Sequence, residues 1–391
     1  MSATAISKRA PRIVIIAGEP SGDVLGARLM AALQAATGGA VRIEGVGGEQ
    51  MIRQGLTSRI PLSDLSKMGF VELLPHLPRL MGHIRRTAQW IAYDKPDLLV
   101  TIDAPAFNLR IARRLKGAGI PLLHYVAPTV WAWKPWRAKK FAETFDHLLA
   151  LLPFEPPYFT REGLACTYVG HPALETMGGE PDGPGFRRRH NIPAEAKAVC
   201  LLPGSRRFEL GMLLRDFAAA IRDLAQRHPG LQVVLPTVGP VAELAGQGAK
   251  ACGAPVTLIV DPAEKRDAFA ACDVALAASG TVAVELGVVG TPAVIAYRAN
   301  PISVAIVRWL VKVRYASLIN LTLDREATPE LLQENCTVER MVAEVDRLLT
   351  DPQARAAQKK AYAEAMAKLA VDGRPSERAT AVALSMIRNT N

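Results

Sequence analysis

Short β-branched apolar runs alternate with longer amphipathic stretches along the chain, and the whole alternation occurs twice. In the first half Ile13–Ala17, Arg42–Val46, Leu98–Ile102, Leu122–Val126 and His147–Leu152 read as buried parallel strands, with helical spacing over Asp23–Ala36 and Asn108–Gly117. In the second half Val199–Leu202, Leu231–Pro236, Val256–Val260, Asp273–Ala277 and Ala293–Tyr297 read as strands. Phe208–Arg227, Lys265–Ala271 and Thr281–Val288 read as their helices. Two rounds of strand–helix alternation predict an α/β protein of two doubly wound, Rossmann-type domains facing across a cleft. The expected domains are residues 1–172 and 173–364, joined through the Gly- and Pro-rich stretch Gly170–Gly185. The Ala-rich stretch Ala354–Arg388 reads as helical, its end (365–391) packing back on the first domain.

Composition removes several function classes. With 49% hydrophobic and 21% charged residues, the 391-residue chain builds ordinary cores and is neither a disordered tail nor a disulfide-stapled scaffold. Its five cysteines are scattered without CxxC spacing, as buried apolar residues of a reducing compartment are. The apolar run after Lys8, Arg9 and Arg12 is too short for a signal peptide, and no run of about 18 apolar residues predicts a membrane span. A cytoplasmic protein is expected. The net charge of +10 points to an anionic partner: nucleic acid, an acidic membrane or a phosphorylated small molecule.

Four loops at predicted strand ends carry the chemistry. Gly18-Glu-Pro-Ser-Gly-Asp23 is a strand-to-helix turn in which Ser21 or Asp23 can cap the helix and Gly18 and Gly22 admit a ligand. Asp103 follows a strand in an apolar setting, and reads either as a general base or as a helix N-cap. In the second half Gly204, Ser205 and Arg206 suit a diphosphate, with backbone N–H groups and a guanidinium fork. Ser279, Gly280 and Thr281 repeat the design, and Glu285 stands where a carboxylate can take ribose hydroxyls. Three tryptophans between Trp131 and Trp136, followed by cations, either stack a base or sugar, cover a hydrocarbon chain or fill a core. His124 and His147 read as core histidines, and His171 as the one most open to a cleft. No metal-ligand spacing and no GxxxxGK[ST] phosphate loop occurs.

Taken in order, AGEPSGD (17–23), MGFVELL (68–74), IDAPAFN (102–108), HYVAPTVWAW (124–133), LPFE (152–155), VGHP (169–172), LLPGSRRFEL (201–210), ASGTVAVE (278–285) and SLINL (317–321) resemble the lipid-A-disaccharide synthases, glycosyltransferases of the GT-B class. The resemblance implies inverting transfer of 2,3-diacylglucosamine from its UDP ester to the 6-hydroxyl of 2,3-diacylglucosamine 1-phosphate, without metal or cofactor. It implies Asp103 as base, Arg206 on the UDP diphosphate, Glu285 on the ribose and Asn320 as important for activity. Ser21, Gly22, Met68 and Phe70 become candidates for the acceptor and its acyl chains. Ala106 stands where the family often has a second aspartate, so an acid there is not essential in this chain. Two apolar, basic segments, Lys67–Arg86 and Asn300–Tyr315, suit an anionic bilayer, so the expected location is the cytoplasmic side of the inner membrane. A homodimer is compatible with this reading; a nucleic-acid partner is not expected. Two rivals are a GT-B epimerase of soluble UDP-sugars and a nucleotide-binding module without catalysis.

Overall fold

The computed structural model describes residues 9–62, 77–278, 281–298 and 314–388. The chain divides into two compact units, Met1–Pro172 with Val371–Asn391, and Ala173–Ala370.

The first unit holds an all-parallel sheet of β1 (Arg12–Ala17), β2 (Arg42–Val46), β3 (Leu98–Ile102), β4 (Leu122–Tyr125), β5 (His147–Ala150) and β6 (Ala165–Tyr168), in the order β2-β1-β3-β4-β5-β6. Both faces are buried, which is why its central strands read as unbroken apolar runs. Val14 and Ile16 face the helices Leu77–Asp94 and Pro105–Leu115 through Ile84, Ile91, Phe107 and Ile111. Ile13 and Ile15 face the opposite layer, made by Leu25 and Leu29 of the helix Pro20–Ala36 and by Ala379, Ala383 and Ile387. Those last three lie on the final helix, Pro375–Arg388, which completes the first unit's second layer.

The second unit repeats the plan with β7 (Ala198–Leu202), β8 (Gln232–Pro236), β9 (Val256–Ile259), β10 (Val274–Ala277), β11 (Ala293–Tyr297) and β12 (Glu330–Leu332), again all parallel, in the order β12-β11-β10-β7-β8-β9. Val199 and Leu201 pack on Leu213, Phe217 and Ile221 of the helix Arg207–Arg227, while Cys200 and Leu202 join Phe269, Leu286 and Tyr362 on the other face.

Three expectations change. The stretch Ala354–Arg388 is two helices, Pro352–Leu369 and Pro375–Arg388. The return to the first unit begins at Val371 and not at residue 365, because Tyr362, Ala365 and Leu369 are buried within the second. The Gly170–Gly185 stretch is no plain linker. From Ala173 it belongs to the second unit and contains the short helix Ala173–Thr176, and the helix Gly183–Arg189 begins inside it.

Candidate functional site

In an open parallel sheet, ligands collect where the strand order reverses, outside the carboxyl ends of the two strands that flank the reversal. In the first unit that point lies between β1 and β3, and in the second between β7 and β10. Each is lined by loops that the sequence singles out. Gly18–Asp23 follows β1 and Asp103 follows β3; Gly204–Arg206 follows β7 and Thr281 lies beyond β10.

At the first reversal Ser21 Oγ donates to Asp103 Oδ2 over 3.1 Å, joining residues 82 positions apart. Asp103 and Ala104 both adopt left-handed backbone, with φ of 51° and 42°. A non-glycine residue in that region is uncommon and two in succession are strained, which is characteristic of sites held by their surroundings for a purpose. The surroundings are visible. Asp103 N–H donates to the Tyr125 carbonyl, its Oδ1 accepts from Ala104 N–H, and the buried Asn108 amide donates to the carbonyls of Ile102 and Asp103. Asp103 is therefore not the N-cap of the following helix: that place falls to Ala104, without a side-chain cap bond. Gly18 is demanded by close approach, since a Cβ there would stand 2.4 Å from the Ala104 Cβ. Strain continues at the neighbouring strand end, where Val126 has φ of 83°, an outlier for a β-branched residue.

Two other residues of the first loop are structural. The buried Asp23 carboxylate does not cap its own helix; it accepts from Gly48, Gln50 and Met51 N–H and so caps the short helix Glu49–Arg53. Gly22 is buried against Ile102 and Ala17, where it lets helix and sheet pack closely, and is not exposed to a ligand. The first apolar segment is described only from residue 77 and the second only from residue 314. Met68, Phe70, Ser279 and Gly280 lie outside the described residues.

At the second reversal the anion cradle is present but occupied from within. Glu209 Oε2 accepts from Ser205 N–H at 2.9 Å and Arg206 N–H at 3.2 Å, and Gly204, at a φ of 120°, leaves room for it, since a Cβ there would stand 2.6 Å from the same side chain. The backbone donors expected to meet a diphosphate thus hold a carboxylate in this structure. Arg206 is 72% exposed, and its 3.5 Å contact with Glu209 is one that solvent weakens. Thr281 opens the helix Val282–Val289. Glu285 in its first turn pairs with Lys265 Nζ at 2.6 Å, so a ribose would share that carboxylate with a lysine.

Asn320 departs further from expectation. It is fully buried, and its carboxamide makes four hydrogen bonds: to the Thr328 carbonyl, to Glu330 Oε1, and from the N–H groups of Ala327 and Thr328. Glu330 in turn accepts from Ala316 and Ser317 N–H. Asn320 is a positioning residue that ties the helix Leu318–Leu323 to β12. Asn320→Ala is expected to cost about 2–4 kcal/mol of stability by leaving buried partners unpaired, measured by urea unfolding.

Of the histidines singled out in the sequence, His124 and His171 are buried and His147 is half-buried. Burial pushes His124, packed on Phe141 and Phe145, down to about 3. His171 is buried and pushed down to about 4 for the same reason, so it is not the exposed histidine its position suggested.

Glu155, which the sequence reading passed over, is the second unusual carboxylate. Buried, it accepts from Leu151 and Leu152 N–H at 3.0 Å and from the Trp131 indole N–H at 3.1 Å. Burial outweighs these bonds and pushes it up to about 7 from an ordinary value of 4.5. The folded state thus holds this proton more tightly than the unfolded chain. The resulting stabilisation is complete below about pH 4.5 and lost as pH rises through about 7. Glu155→Gln keeps a neutral group at all pH, so melting temperatures should show wild type losing ground to the variant across that window, by about 3 kcal/mol.

The lipid-A-disaccharide synthetase family profile matches residues 13–384. A lipid-A-disaccharide synthase of Rhodospirillum centenum is 51% identical over 96% of this chain and 94% of its own length. One from Paramagnetospirillum magneticum is 46% identical, over 96% and 97%. Among solved structures the S. aureus MnaA–UDP structure is similar at a TM-score of 0.68 with 13% identity, covering 98% of each chain. Acinetobacter baumannii MurG is similar at 0.59 with 12% identity, covering 96% of this chain and 99% of its own. At such identities these two likenesses concern the fold, which is the two-domain GT-B arrangement.

Proposed function

The chain belongs to the lipid-A-disaccharide synthetase family, and from that premise we propose that it joins two acylated glucosamines by one inverting displacement. The donor is UDP-2,3-diacylglucosamine and the acceptor 2,3-diacylglucosamine 1-phosphate; the products are a β-1,6-linked disaccharide 1-phosphate and UDP. Such a displacement needs one base and one stabilised leaving group. Asp103 takes the proton of the acceptor 6-hydroxyl as that oxygen attacks the anomeric carbon. The bond from that carbon to the UDP oxygen breaks, and Arg206 with the turn that contains Gly204 and Ser205 holds the charge that develops on the diphosphate. We assign Thr281 to the same nucleotide, with Glu285 at its ribose; the binding role of Ser279 and Gly280 is carried from the sequence alone.

The observation that carries this reading is the Ser21–Asp103 pair, strained and fixed at the first strand reversal. A soluble-substrate epimerase would need no acceptor, and a mere nucleotide-binding module would give no reason to hold Asp103 in strained backbone. Among the described residues no helix is long and apolar enough to cross a membrane. The acyl chains are met at the inner-membrane surface, on its cytoplasmic side, with Met68 and Phe70 in the entry segment and the basic apolar segments on anionic lipid. Incubation with both substrates, with mass and NMR analysis of the product, tests the proposal. A β-1,6 disaccharide 1-phosphate supports it, and conversion of the donor alone to an epimer sinks it.

A further inference from the structure

The loop after β4 is rooted rigidly. Besides its bond to Glu155, Trp131 packs edge-on against Phe154, with ring centroids 5.3 Å apart. From this root the chain delivers Trp133, half-buried, with two cations around it. Lys134 Nζ stands 4.2 Å from the centre of the Trp133 ring and Arg137 Cζ 5.9 Å from it. Lys134 holds a left-handed φ of 54°, a fourth strained position after Asp103, Ala104 and Val126. Neither cation has a hydrogen-bond or ion-pair partner among the described residues. Two other half-buried arginines are neutralised: Arg187 reaches four carbonyls and Asp273, and Arg298 reaches Asp216. Arg137 is instead partly desolvated without an anion, and burial lowers its pKa.

Partly desolvated cations side by side, on strained backbone, are unfavourable unless something completes them. The missing group is a compact anion, for which a guanidinium and an ammonium are both suited. The aromatic face beneath them suits the apolar face of a sugar ring. The loop follows β4, the strand next to that of Asp103, whose N–H is bonded to the Tyr125 carbonyl. We propose that Trp133, Lys134 and Arg137 form a sugar-phosphate subsite that seats the phosphate of the acceptor and sets the enzyme's preference for a phosphorylated acceptor. This rests on the glycosyltransferase reading above.

The test compares the acceptor with and without its 1-phosphate, in wild type and in Lys134→Gln/Arg137→Gln, with Trp133→Phe as a conservative control. Wild type is expected to show a KM about 10–100-fold lower for the phosphorylated acceptor. The double variant should lose that discrimination while KM for the UDP donor, KM for the dephosphorylated acceptor and the melting temperature stay unchanged; Trp133→Phe should keep most of it. Co-sedimentation with vesicles rich in anionic phospholipid should not change. A variant that still discriminates overturns the subsite, as does one that loses both acceptors equally. Reduced vesicle binding with unchanged KM also overturns it, assigning the cations to membrane phosphate. Wild-type transfer without discrimination removes the subsite alone, whereas no transfer to either acceptor removes the glycosyltransferase reading and the subsite with it.

Discussion

Asp103→Asn should lower kcat for disaccharide formation by about 10²–10⁴-fold, with KM for the UDP donor unchanged, measured by UDP release with both substrates saturating. Asparagine keeps the volume of aspartate: its Oδ1 can still accept from Ala104 N–H while its NH2 donates to Ser21 Oγ, so the turn has no reason to rearrange. What is lost is the ability to accept a proton from the attacking hydroxyl. The effect is expected in kcat because the group acts as charge moves, not as substrate binds. Asp103 is well placed for such a role. Its backbone is pinned by Tyr125 and Asn108, one carboxylate oxygen is engaged by Ala104 N–H, and the other receives only the hydroxyl of an exposed serine among the described contacts. Loss of donor affinity in the variant, with kcat intact, would contradict the assignment.

Arg206→Ala should weaken UDP binding by about 10–100-fold, the worth of one or two charge-assisted hydrogen bonds, read by titration calorimetry with UDP. Arg206 is exposed, its ion pair with Glu209 is one that solvent weakens, and the N–H that Glu209 binds belongs to the backbone and survives the substitution. The calorimetric loss should therefore appear without a fall in melting temperature. Glu209 shapes the same result. Its carboxylate occupies the Ser205 and Arg206 N–H groups in this structure, so a diphosphate that uses those donors must displace it. Arg206 then supplies attraction that the turn's backbone alone does not. Unchanged UDP affinity would mean that the diphosphate is held elsewhere.

The architecture was largely legible because parallel strands buried on both faces leave unbroken apolar runs, as at Ile13–Ala17 and Leu98–Ile102. Two of the four edge strands, β6 and β12, were not. Ala165–Tyr168 is half exposed and Glu330–Leu332 is three residues long, so neither carries an apolar run. Site positions were legible for the same topological reason: glycine turns and Asp103 sit at the ends of readable strands. The bonds that give each side chain its task were not. Asp23 serves a helix 25 residues away, Glu209 fills a turn that looked open, and Asn320 is consumed by the segment at 327–330. Each depends on a contact made only after folding. Backbone strain at Asp103, Ala104 and Val126 was equally hidden, since no residue type there advertises a left-handed conformation. Ion pairs such as Arg189–Asp267 cancel within the sequence's charge, so its +10 excess rests on cations without an acidic partner, Lys134 and Arg137 among them.

UDP release with the donor alone, with the acceptor alone and with both tests the central claim most directly. Release is expected only when both acylated substrates are present, one UDP for each disaccharide formed. Full turnover of a non-acylated UDP-sugar with no acceptor would contradict it.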